Sequence, residues 1–148
     1  MADYPSTPIH SDAAEYPPEV IKALEDFKAR HKYGRATWEE RAAGMNDLLK
    51  VLNYAYKTNV TARYVDNRQA NSFQSYFTPH TNEIVIIGKL SIITFLHEFA
   101  HALDWKNTRG SGGEHFAVYF SVSLFKKVYP RAYEKLAANG HTLTTGRN

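Results

Sequence analysis

The chain has 148 residues and no cysteine, and its 18 basic and 15 acidic residues give a net charge of +3. That length suits one domain with a substantial core. Without cysteine there is no disulfide, thiolate nucleophile or cysteine zinc ribbon, so His, Asp and Glu are the candidate metal ligands.

Residues 1–16 are polar and proline-bearing and read as a flexible N-terminal arm. They lack the basic and apolar regions of a secretory signal, and no apolar run is long enough to span a bilayer. The expectation is a cytoplasmic protein without membrane association, with one domain over residues 17–140 and a tail over 141–148. Val20, Ile21, Leu24 and Phe27 recur at helical spacing after Pro17 and Pro18, which predicts a helix to about residue 31. A second helix, over residues 37–57, opens with the capping box Thr37-x-x-Glu40. Its apolar stripe of Trp38, Ala42, Met45, Leu48, Leu49, Leu52, Ala55 and Tyr56 is of the kind that packs on a sheet.

From residue 59 the pattern turns to β. Strands are expected around residues 60–64, 72–77 and 83–87, the last two joined as a hairpin through the turn-rich TPHTN. Gly88 ends the third strand, EIVII. A helix then carries SIITFLHEFAHALDW, with Ser91 as its cap. The loop KNTRGSGG stops it before residue 114. Another apolar helix follows, with Phe116, Tyr119, Phe120, Leu124 and Val128 at three- and four-residue steps. A short last helix begins at Pro130 and ends near Gly140.

HEFAH is the stretch around which the chain is organised. His97 and His101 stand four apart, so on a helix both imidazoles share one face and can reach a single ion at about 2.0–2.1 Å. Glu98 projects from the adjoining edge, where a carboxylate can take a proton from an activated water. Burying these three groups in so apolar a helix costs several kcal/mol unless each has a partner, and a divalent cation satisfies them together. The third ligand is open among Asp104, Glu114 and His115. Asp104 lies one turn past His101, where support of a histidine N–H suits it better than ligation. Glu114 and His115 differ by about 100° around their helix, so only one is expected to point inward, and periodicity does not decide between them.

HEFAH with a further histidine 14 residues on, at the head of an aromatic helix, resembles the SprT-like (Spartan-type) zinc metallopeptidases. SFQSYFTPHTNEIVIIG and the LHEFAHA run are similar to that family too, and the resemblance covers roughly residues 38–128. It implies an α+β, minimal zincin-type domain: N-terminal helices, a small three-stranded sheet, the HExxH helix and a following helix carrying the third ligand. One zinc ion held by His97, His101 and His115 is implied, with Glu98 as the general base. The segment GGEHFAVYF lacks the proline-containing turn common in that family, and the family's cysteine ribbon is absent.

The function expected is peptide-bond hydrolysis by a zinc-activated water, on a protein or peptide substrate. An extended substrate could add to EIVII as an edge strand, and Tyr119 could donate to the oxyanion. His80 and His141, in a turn and in the tail, read as surface residues. The rival reading is a non-catalytic, zinc-stabilised binding or structural module. It would contact DNA, another polyanion or an assembly partner through the basic C-terminal residues Lys126, Lys127, Arg131, Lys135 and Arg147.

Overall fold

Pro17 and Pro18 set the start of the first helix. In a computed structural model, which describes residues 16–32, 34–66 and 74–138, α1 (Pro18–Arg30) has proline in its first turn and buries Val20, Leu24 and Phe27. Proline suits that place because its missing N–H would have no intrahelical partner there. The next helix, α2 (Trp38–Tyr56), opens with the expected capping box: the Glu40 N–H donates to Thr37 Oγ1 at 3.0 Å, and the Thr37 N–H donates to Glu40 Oε1 at 2.8 Å. Met45, Leu48, Leu49 and Leu52 form its buried stripe. Tyr16, the last residue of the expected arm, already belongs to the core, with its hydroxyl donating to the Phe120 carbonyl at 3.0 Å.

Three strands follow: β1 (Thr61–Val65), β2 (Tyr76–Thr78) and β3 (Glu83–Ile87). The hairpin is antiparallel as expected, with Phe77 opposite Ile84. The place of EIVII is not. β1 pairs with β3 in parallel, Ala62 opposite Ile84, and the order β1-β3-β2 puts β3 in the centre of the sheet. EIVII is therefore no edge for a substrate strand to join. The physical reason lies in its composition: Ile84, Val85 and Ile86 are all buried, and a continuous apolar run of that kind belongs inside a covered sheet.

The link from β3 to the HEFAH helix is held by α2. Trp38 Nε1 donates to the Gly88 carbonyl at 2.8 Å, and the buried Arg41 guanidinium donates to the carbonyls of Leu90, at 2.8 Å, and His31. Leu90 is buried with φ 59, a left-handed conformation that branched side chains adopt at a cost. Arg41 secures the carbonyl that this conformation exposes.

Ser91 caps α3 (Ile92–Thr108), accepting from the Thr94 N–H at 3.3 Å. This helix runs about one turn past its expected end at Trp105, because Lys106 ties the extra turn to the end of α2 through the Tyr56 and Lys57 carbonyls, at 3.2 and 2.7 Å. It packs on β2, β3 and above all α4 (Gly113–Val128), after which α5 (Pro130–Ala138) folds back on α4. Phe95, Leu96, Phe99, Ala100, Ala117 and Leu124 have no accessible surface. The architecture is thus α+β, with five helices and a small mixed sheet among the described residues. No described helix is long and apolar enough to cross a membrane.

Candidate metal centre

His97 and His101 occupy successive turns of α3, four residues apart, and the structure brings their rings together with centroids 4.8 Å apart. Their Nε2 atoms are separated by 3.2 Å. Glu114, in the first turn of α4, completes the group. Its Oε1 lies 2.8 Å from His97 Nε2 and 3.0 Å from His101 Nε2. Among the described residues these three form the group that could hold a metal ion. It grades from a buried floor to an open mouth, the side chains of His97, His101 and Glu114 being 1%, 19% and 53% exposed.

The donor set fits a divalent cation better than it fits shared protons. If both histidines carried a proton on Nε2 to donate to Glu114, those two N–H groups would face each other across 3.2 Å. If one did not, the carboxylate would lose a donor it closely approaches. A cation satisfies three converging acceptors at once. Ligand atoms bound tetrahedrally at about 2.0–2.1 Å stand about 3.3 Å apart, and the triangle observed here, with edges of 2.8, 3.0 and 3.2 Å, is close to that size. Two histidines and a glutamate are one of the recurrent donor sets of catalytic zinc sites.

Glu114 thus stands where the family resemblance put His115. His115 is exposed near the start of α4 and lines an open groove of about 450 Å³ with Glu114, Val118, Tyr119, Val122 and Ser123, but it is not one of the converging groups. The cause is the buried stripe of α4, which runs through Ala117, Ser121, Leu124 and Val128. Glu114 falls three residues before Ala117 and seven before Ser121, so it is the first position of that stripe, and His115 is turned about 100° away. The small residues Ala117 and Ser121 carry the sequence signal for this face.

Glu98 is completely buried in α3 and is not one of the three converging groups. Asp104 does not support a histidine as expected. Both its carboxylate oxygens accept the Gly112 N–H at 3.1 Å, Oδ2 accepts the Gly113 N–H at 3.1 Å, and Oδ1 accepts the Thr108 hydroxyl at 2.6 Å. The Tyr119 hydroxyl is withdrawn from solvent, so in this conformation it does not present itself to the groove. His80 sits exposed in the turn between β2 and β3, and His141 lies outside the described residues.

Of the basic C-terminal residues, Lys126, Arg131 and Lys135 are exposed and Lys127 is half-buried. Lys126 Nζ rests over the Tyr133 ring at 5.2 Å from its centroid. Arg147 lies outside the described residues. Comparison of the chain with protein-family models, with curated proteins and with solved structures found no match.

Proposed function

We propose that the chain is a zinc-dependent peptidase of minimal zincin type. The observation that carries this reading is the convergence of His97 Nε2, His101 Nε2 and Glu114 Oε1 on one point at the mouth of a buried helix. His97, His101 and Glu114 would hold the ion. Zinc bound there would supply a Lewis acid for water and for a scissile carbonyl. Glu98, next to His97 in the HExxH order, would take a proton from the attacking water and return it to the departing amine. A glutamate as third ligand departs from the histidine pattern of the SprT-like peptidases, so the kinship proposed with them rests on HEFAH and the segments before it.

The exposure of Glu114 leaves the group open to a substrate on the α4 side. An extended peptide would join an edge of the sheet, where unpaired backbone groups offer hydrogen bonds. β2 is the edge strand that packs on α3, and it takes the role expected of EIVII. Glu98→Gln tests the reading. That variant should bind one zinc per chain as tightly as the parent and lose cleavage of an unfolded protein substrate by at least about a hundredfold. Undiminished cleavage by the variant would overturn the reading.

A further inference from the structure

The N-terminus of α4 has no cap of its own. Its N-cap residue is Gly112, which has no side chain to accept from the first turn, yet an uncapped helix start leaves N–H groups without partners. The acceptor comes instead from the preceding helix. Asp104, 3% exposed on α3, takes the Gly112 N–H on both carboxylate oxygens and shares the Gly113 N–H, at 3.1 Å, with the Gly110 carbonyl at 3.2 Å. Its negative charge also sits at the positive end of the α4 dipole. Thr108 braces the arrangement, since its hydroxyl donates to Asp104 Oδ1 and accepts the Ser111 N–H at 3.0 Å. Glu114 is the next residue after Gly113. The carboxylate that holds the start of α4 therefore stands on the same helix as His97 and His101, three residues after the second.

From this geometry we infer that Asp104 is the positioning residue of the metal centre. It locks the start of α4 onto α3, so that Glu114 is presented to the two imidazoles without ordering the turn at the moment of binding. The turn needs such a lock. Arg109, Gly110 and Gly113 all have positive φ, at 59°, 93° and 55°, and a turn with two such glycines gains much freedom when its anchor is lost. Asp104 thus acts on the ion through Glu114 and touches neither the ion nor a histidine. This inference rests on the reading of His97, His101 and Glu114 as a metal site.

The test is a double-mutant cycle on the full chain, with zinc affinity measured by competition against a chromogenic chelator and cobalt(II) absorption as the record of the ligand set. Asp104→Asn should weaken zinc binding about 10- to 100-fold, the range found when the groups that orient metal ligands are removed. Its cobalt spectrum should move toward that of Glu114→Gln. In the Glu114→Gln background the same substitution should change affinity less than about twofold, because the residue it positions no longer ligates as a carboxylate. Thr108→Val, which removes a single brace, should reproduce the effect in weaker form, and it carries the test if Asp104→Asn loses the circular dichroism of the folded chain. Equal zinc affinity in parent and Asp104→Asn, or the same loss with and without Glu114→Gln, would overturn the positioning role while leaving the metal site intact. A parent chain that takes up no zinc would overturn the site itself, and this inference with it.

Discussion

His97 and His101 lie on one unbroken helix, whereas Glu114 reaches them from across a turn of glycines, and the two halves of the centre depend on different physics. The imidazole pair needs only the helical repeat: any α-helix through HEFAH brings those rings onto one face. Placing α3 itself is the work of Ser91 at its cap, of Arg41 and Trp38 on the link before it, and of Lys106 at its end. The carboxylate half depends on where α4 begins, and so on Asp104 and the small-residue stripe of Ala117 and Ser121. A pair set by the helical repeat and a carboxylate held in place through Asp104 present all three donors to an ion before it binds.

The largest effect is expected at the histidine pair. His101→Ala should weaken zinc binding by roughly one- to two-hundredfold, since the binding free energy of about 10–16 kcal/mol of four-ligand structural zinc sites gives about 3 kcal/mol for each ligand. Equilibrium competition assays would measure it, and the loss should leave the helix content unchanged. Glu114→Gln should cost roughly a hundredfold, because a neutral amide does not replace the anionic ligand. If it proved as silent as a surface change, the carboxylate half would not belong to the centre.

Next in size is a change of stability without change in the site. Ser91→Ala removes the cap of α3 and should cost about 1 kcal/mol of unfolding free energy, read from denaturant midpoints. Zinc affinity in the folded chain should stay within about twofold, because the link before the helix is also held by Arg41 and Trp38. The smallest effect is expected for His115→Ala. With His115 exposed and outside the converging group, the substitution should leave zinc stoichiometry and affinity unchanged, which isothermal titration would show.

Local signals were legible in the sequence and non-local ones were not. The capping box at Thr37, the cap at Ser91, the hairpin into residues 83–87 and the histidine pair each depend on residues within a few positions of one another. The parallel pairing of β1 with β3 joins segments some twenty residues apart, and no short pattern encodes such a partner. The unbroken apolar run of EIVII did carry a hint of its central place. The third ligand was undecided for a similar reason. Glu114 and His115 are neighbours in the chain, and the choice between them turns on which face of α4 meets α3. Asp104 was legible as a residue near the site, but the backbone amides it accepts lie eight and nine residues on, where composition leaves no trace.

Zinc-edge anomalous scattering from crystals of the zinc-loaded chain would locate the ion directly. One strong peak per chain is expected, at about 2.0–2.2 Å from the Nε2 atoms of His97 and His101 and from a carboxylate oxygen of Glu114. A peak bound by His115 with Glu114 turned to solvent, or no peak beside the two imidazoles, would contradict the proposed metal centre.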